Sequence, residues 1–254
     1  MEIDLEGEIT IEAMGLKGAE CAEATKAIEE ALGTIPRGTP EESATAEITL
    51  GSLGDKVLPG DTVFVYWAGH GLTRMENGAP RRYLVPHDGD PRNPETLISL
   101  DALHETLAVL GAGECIVILD GAFESDAEGR SLTARFETDP KVNEPGKTTA
   151  PTHGRIFQVM ASTLGEGALE SPEVQNGIFT YFFLKGVRTE TQGESAPGDA
   201  NKDGIVTLVE TLDYAREKVQ DLTAPTGRAQ HPILTVAWDG EIYEMDQAPT
   251  ETEG

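Results

Sequence analysis

The stretch DTVFVYWAGHG, residues 61–71, joins a continuous apolar run to a glycine-histidine-glycine turn. Its centre, VFVYW at 63–67, consists of β-branched and aromatic side chains and has no polar face, which is typical of a strand buried on both sides. A second such run, CIVILD at 115–120, ends on an aspartate and is followed by Gly121 and Ala122. The two runs predict neighbouring strands of one sheet, each ending in a tight turn.

Strands and helices alternate along the rest of the chain. Short apolar or alternating runs predict further strands at 8–13, 82–86, 156–162 and 233–238. Apolar residues at helical spacing predict helices at 15–32, 43–57, 99–111, 177–187 and 207–222. This alternation predicts an α/β fold with a mostly parallel central sheet and helices on both faces. Sites in such sheets form at the carboxyl ends of the strands, where His70 and Asp120 both lie.

The composition limits the partners that the chain can have. With 254 residues it suits a single domain, which we expect over 1–246 with a polar tail at 247–254. The formal net charge of −26 repels nucleic acid and anionic membrane surfaces. An acidic amino terminus and the lack of a long apolar run lead us to expect a cytoplasmic protein. Cys21 and Cys115 are too few for a disulfide framework, and we expect buried thiols.

One of the two predicted turns carries a histidine and the other a small residue, and their spacing in the sequence is informative. His70 and Ala122 are 122 − 70 = 52 positions apart, and caspases place their histidine about 50 residues before the catalytic cysteine. The endings YWAGHG and ILDGAFES resemble those of the metacaspase-type and bacterial caspase-like peptidases of clan CD, peptidase family C14, except that alanine stands at the cysteine position. The similarity continues through MASTLGEGALESPEVQNGIFTYFFLKGV at 160–187 and DANKDGIVTLVETLDY at 199–214.

The resemblance implies a fold and a subunit-like division. It implies a caspase-like three-layer sandwich in which residues 1–123 correspond to the large subunit and 155–246 to the small subunit. The polar residues 124–154 between them are expected to form an exposed linker loop.

The resemblance also implies a thiol peptidase mechanism. A cysteine at position 122 would attack the scissile carbonyl, and His70 would hold it as the thiolate. Backbone N–H groups of Gly71 and residue 122 would stabilise the oxyanion. With Ala122 in place the chain should cleave nothing. Two origins of the alanine stay open: a substitution made to inactivate a peptidase, or a natural pseudopeptidase that binds a peptide or protein in the same cleft.

Substrate preference is a further implication of the family likeness. In the relatives, the aspartate that matches Asp120 forms part of an acidic pocket for Arg or Lys, and Asp88 and Ser162 are further candidates for its wall. The expected partner is a peptide or protein with a basic residue at the cleavage site, and a regulatory protein partner is compatible with the same cleft. The alternative for Asp120 is a strand-ending aspartate that bonds the turn backbone.

A separate motif predicts a calcium site. The segment DANKDGIVTLVE, residues 199–210, follows the pattern of a calcium loop, in which oxygens at positions 1, 3, 5, 7 and 12 surround the ion. The ligands would be Asp199, Asn201, Asp203, the carbonyl of Ile205 and Glu210. The alternative is a turn of the same sequence that caps the following helix without a metal.

Overall fold

The computed structural model describes residues 13–14, 57–77, 79–86, 89–125, 155–163, 166–171, 176–189, 195–238 and 241–244. The helix predicted at 15–32, almost all of the helix predicted at 43–57, and the linker loop beyond Ser125 lie outside these residues. Cys21, Asp88 and the tail at 247–254 also lie outside them.

A six-stranded sheet forms the centre of the molecule. Its strands in spatial order are β1 (Ala13–Met14), β2 (Thr62–Ala68), β6 (Glu114–Asp120), β8 (Arg155–Met160), β11 (Ile233–Trp238) and β12 (Glu241–Glu244). The first four strands run parallel, and β11 and β12 are antiparallel to their neighbours. The prediction of a mostly parallel sheet is therefore confirmed. The run at 233–238 is not the last strand, because β12 pairs with its residues 235–238.

Helices cover both faces of this sheet. They are α1 (Leu100–Val109), α2 (Ile178–Val187) and α3 (Leu208–Thr223), with short 3-10 turns at Pro94–Thr96 and Ala224–Thr226. Alternate residues of the central strands belong to different cores. One core joins Trp67 and Leu119 to α1, and the other joins Ile118 and Val159 to α2 and α3. This arrangement is the three-layer sandwich predicted from the sequence.

Two helix starts follow from local side-chain chemistry. The hydroxyl of Ser99 accepts a hydrogen bond from the Ala102 N–H at the start of α1. At the start of α3, Thr207 and Glu210 form a reciprocal capping box. Both caps satisfy N–H groups that a helix leaves unpaired in its first turn. None of the described helices is both long and apolar enough to cross a membrane.

A second sheet lies beside the first and was not predicted. Its strands in spatial order are β5 (Ile98–Ser99), β4 (Ala79–Leu84), β3 (Gly71–Glu76) and β7 (Phe123–Ser125). The strand predicted at 82–86 thus begins and ends earlier than expected. The predicted loop start at Glu124 and Ser125 is wrong, since both residues pair with β3. A separate two-stranded ribbon pairs β9 (Glu170–Ser171) with β10 (Asn176–Gly177).

Candidate active site

The pairing of strands places His70 opposite Ala122. In the large sheet Ala68 lies beside Asp120, and in the small sheet Gly71 lies beside Phe123. Both pairings have the same offset, since 120 − 68 = 123 − 71 = 52. The residues between the two sheets therefore face one another at that offset. The Gly69 N–H donates to the Asp120 carbonyl at 3.1 Å, and the Gly71 N–H donates to the Ala122 carbonyl at 3.0 Å.

Glycine is required where the two turns touch. A Cβ on Gly121 would lie 2.1 Å from the carbonyl oxygen of Gly69. A Cβ on Gly71 would lie 2.5 Å from the ring of Phe123. Backbone atoms cannot move aside as a flexible side chain can, so the approach of the turns at Gly69 and Gly121 depends on the missing side chain.

The two predicted catalytic positions differ in exposure. His70 is exposed to solvent, and its carbonyl accepts a hydrogen bond from the Val85 N–H at 2.9 Å, which ties the turn to the end of β4. Ala122 is half-buried and offers only a methyl group. The backbone thus brings the turn of His70 next to position 122, and a histidine close to a thiol is the arrangement that activates a cysteine nucleophile.

The predicted oxyanion donor is already engaged. The Gly71 N–H donates to the Ala122 carbonyl, so it could reach a substrate oxygen only after that hydrogen bond breaks. This competition is invisible in the sequence, because it arises from the pairing of β3 with β7.

Asp120 is buried at the base of this edge rather than exposed in an open pocket. Only 8% of its surface is accessible. Its Oδ2 accepts a hydrogen bond from the Thr180 hydroxyl of α2, and the Thr180 backbone N–H donates to the same carboxylate. Burial raises the pKa of Asp120 to about 6, although the hydrogen bonds from Thr180 act in the opposite direction. The turn-backbone alternative does not describe these contacts, since both donors belong to a helix 60 residues away.

Ser162, the other predicted substrate contact that the structure describes, is more deeply buried than Asp120. Ser162 is 1% exposed, and its hydroxyl donates to the Glu166 carbonyl at 3.2 Å. Asp88 lies outside the described residues.

Sequence reasoning missed Tyr66 and Thr180. The Tyr66 hydroxyl lies 3.1 Å from the Thr180 hydroxyl, and both residues are buried. A polar residue near the start of an otherwise apolar helix, IFTYFFL at 178–184, was the available signal.

Hydrogen bonds of two side chains, Glu166 and Gln230, hold the loop after β8. Glu166 accepts hydrogen bonds from the backbone N–H of His231 at 2.8 Å and from its Nδ1 at 2.6 Å. The buried amide of Gln230 donates to the Ala161 carbonyl at 3.0 Å and accepts from the Leu169 N–H at 3.1 Å. The loop is thus held at both ends against the segment that leads into β11.

The acidic loop folds onto its own backbone. Asp199 accepts from the Asp203 and Gly204 N–H groups, at 3.2 and 3.1 Å, and Asp203 accepts from the Ile205 N–H at 2.8 Å. Glu210 accepts from the N–H and hydroxyl of Thr207, and these hydrogen bonds lower the pKa of its carboxyl. Among the described residues no three His, Cys, Asp or Glu side chains lie close enough together to hold a metal. The predicted ligands fit calcium in type and order, but their carboxylates do not converge.

Cys115 and His104 are both buried. Cys115 lies near the start of β6, at the edge of the sheet opposite to Ala122, and burial raises the pKa of its thiol to about 11. His87 and His153 lie outside the described residues.

Two family models match different parts of the chain. A family model described as the caspase domain matches residues 47–242, and a model described as a protein of unknown function matches residues 1–45. No curated protein matches the chain by sequence.

Several solved structures are similar to the chain. Protein GSU0716 from Geobacter sulfurreducens is 14% identical with a TM-score of 0.56, covering 91% of this chain and 93% of that one. The structure of pro-sf-caspase-1 is 14% identical with a TM-score of 0.51, covering 92% and 93%. Caspase-1 from Spodoptera frugiperda is 11% identical with a TM-score of 0.49, covering 91% and 86%. At such identities the likeness shows the fold alone.

Proposed function

The chain belongs to the caspase-domain family, and we propose that its active form is a cysteine endopeptidase that pairs His70 with a cysteine at position 122 and cuts after Arg or Lys. The observation that carries this proposal is the common offset of 52 residues in both sheets. It brings the turn of an exposed histidine beside the one position at which the family's nucleophile is expected.

The proposed chemistry needs one change at Ala122. A thiolate at that position would add to the scissile carbonyl while His70 takes the thiol proton and later returns it to the leaving amine. The resulting acyl-enzyme would be released by water. N–H donors aimed at the oxyanion contribute about 10²–10³ in rate in comparable sites, which is why release of the Gly71 N–H from the Ala122 carbonyl would matter.

The preference for a basic residue rests on the carboxylate of Asp120. It lies at the carboxyl end of β6, two residues before position 122. The surrounding chain is strongly acidic, with 45 acidic and 19 basic residues, which favours the approach of a positively charged peptide. Calcium bound at 199–210 is proposed to support the small-subunit-like half, as the order of oxygen ligands suggests.

A second function is favoured by one specific contact. In the chain as it stands the Gly71 N–H donates to the Ala122 carbonyl and is not offered to a substrate oxygen, and if Ala122 is natural the cleft would serve as a binding module for a peptide or partner protein. The codon at position 122 in the gene distinguishes an introduced alanine from a natural one.

The decisive experiment restores the nucleophile. Ala122→Cys is assayed with fluorogenic peptides ending in Arg, Lys and Asp, in calcium and in chelator. We expect release after Arg and Lys that is abolished by adding His70→Ala. No turnover of any peptide would leave the binding module as the better description.

A further inference from the structure

A row of three hydroxyl and carboxyl groups crosses the sheet edge beneath position 122. The Tyr66 hydroxyl lies 3.1 Å from the Thr180 Oγ1, which in turn donates to Asp120 Oδ2. All three residues are at least 92% buried, with accessible fractions of 3%, 4% and 8%. The Thr180 hydroxyl hydrogen is used in the hydrogen bond to Asp120. In the contact between the two hydroxyls, Tyr66 is therefore the donor and Thr180 the acceptor. The row thus directs two O–H dipoles towards Asp120.

This row joins three elements that reach the candidate site separately. Tyr66 lies on β2 before the histidine turn, Asp120 ends β6 before position 122, and Thr180 is in the first turn of α2. The N-cap residue of α2, Gly177, has no side chain to cap the helix. Asp120 takes over this role, because it accepts both the backbone N–H and the hydroxyl of Thr180.

We propose that Thr180, supported by Tyr66, is a positioning residue that fixes the orientation and charge of Asp120 and thereby sets the preference of the cleft for a positively charged side chain. This inference rests on the proposed function in taking Asp120 as the group that meets the basic residue. A buried carboxylate stays charged only if donors face it. Among the described residues, Glu170 of β9 is the other charged group that acts on Asp120, and it disfavours the charged form. The two hydrogen bonds from Thr180 therefore favour the charged form of Asp120, whereas burial and Glu170 disfavour it.

The first measurement follows the Asp120 carboxyl directly. Carboxyl carbon NMR titrations are recorded on the chain with Ala122 in place and on Thr180→Val, Thr180→Ser and Tyr66→Phe. Valine has the shape of threonine but no hydroxyl, so the midpoint of the Asp120 titration should rise by about one pH unit or more. Serine restores the donor and should return the midpoint to that of the parent. Tyr66→Phe should give a smaller rise in the same direction.

The second measurement connects this charge to recognition. Calorimetry compares a blocked peptide containing one arginine with the same peptide containing citrulline, at pH 6 and pH 8. If the midpoint moves from about 6 to about 7, the ionised fraction at pH 6 falls about fivefold, whereas at pH 8 it hardly changes. Thr180→Val should therefore weaken arginine binding about fivefold at pH 6 only. Citrulline binding should be unchanged, which a general structural defect would not achieve.

The two measurements separate the ways in which the idea can fail. An Asp120 midpoint that stays in place in Thr180→Val overturns the positioning role, whatever the peptides do. A midpoint that moves, combined with equal binding of the arginine and citrulline peptides by the parent chain, overturns the link to selectivity. That second result would also count against Asp120 in the proposed function, while leaving the cysteine assay to judge peptidase activity itself. Should Thr180→Val fail to fold, Tyr66→Phe carries the same comparison, with Thr180→Ser as the variant whose midpoint should not move.

Discussion

The carboxylate of Asp120 occupies the space that a side chain on Gly177 would fill. A Cβ on Gly177 would lie 2.3 Å from Asp120 Oδ2. The aspartate therefore performs, from another strand, the capping that the helix's own N-cap residue cannot. A residue expected to bind either substrate or its own turn backbone thus fastens α2 to the central sheet.

Replacing Asp120 by asparagine should remove a pH dependence of stability. The pKa of Asp120 rises from 3.8 to about 6 on folding, so the folded state holds the proton more tightly. The free energy of unfolding should fall as pH rises from about 4 to about 6, by on the order of 3 kcal/mol, and be flat above that range for this group. Urea unfolding of the parent and Asp120→Asn between pH 4 and 7 measures the difference. The exposed Asp221→Asn serves as the control, and parallel curves for parent and Asp120→Asn would contradict the expectation.

Adding a methyl group at Gly121 should be far more damaging than adding one at Gly60. The new Cβ would lie 2.1 Å from the Gly69 carbonyl, whereas nothing lies within 4 Å of a Cβ on Gly60. We expect Gly121→Ala to lower the free energy of unfolding by about 3 kcal/mol or more, because one of two paired backbones must move. Gly60→Ala should change it by less than about 0.5 kcal/mol. Denaturant unfolding of both variants tests this, and equal stabilities would show that the turns can separate freely.

The long central elements could be predicted because their signals are local. The run at 63–67 and the capped helix beginning after Ser99 carry their own periodicity and end signals, and both are present. The small sheet could not be predicted in the same way. Strand β7 is three residues long, and it is a strand only because β3 lies beside it.

In the candidate site, too, local signals could be predicted and tertiary contacts could not. The spacing of His70 and position 122 could be obtained from the sequence, because parallel register converts a fixed offset into proximity. The engagement of the Gly71 N–H and the capping of α2 by Asp120 could not. Each depends on a partner brought close by the tertiary fold, and no local pattern records it.

His104 should destabilise the protein as the pH falls. It is 4% exposed, and its Nε2 lies 2.9 Å from the Gln158 amide oxygen, while no described atom pairs with its Nδ1. Burial lowers the pKa of His104 below its usual 6.5, so the unfolded chain takes up the proton first. Stability from this group should decline below about pH 6.5, by up to about 1.4 kcal/mol per pH unit.

The variant His104→Gln separates this effect from that of Asp120, which has the opposite sign. Stability curves between pH 5 and 8 should lose their downward slope on the acid side in His104→Gln. The exposed His70→Gln is the control for removal of a histidine in the chain with Ala122. A slope that persists in His104→Gln would assign the acid sensitivity to other groups.

Calcium binding at 199–210 can be separated from helix capping, although both involve Glu210. Glutamine at position 210 can still complete the capping box with Thr207, but it removes a charge that calcium needs. In chelator, Glu210→Gln should unfold at nearly the same denaturant concentration as the parent, whereas Thr207→Ala should lose about 1 kcal/mol. In calcium at about 100 times the dissociation constant, the parent and Thr207→Ala should each gain about 2.7 kcal/mol. Glu210→Gln should gain much less at the same concentration.

Because the carboxylates now accept from loop N–H groups, calcium must draw them together, and binding should therefore be accompanied by a change in the amide resonances of 199–210. Equal unfolding in calcium and chelator for the parent would leave the loop as a turn that caps α3 and nothing more.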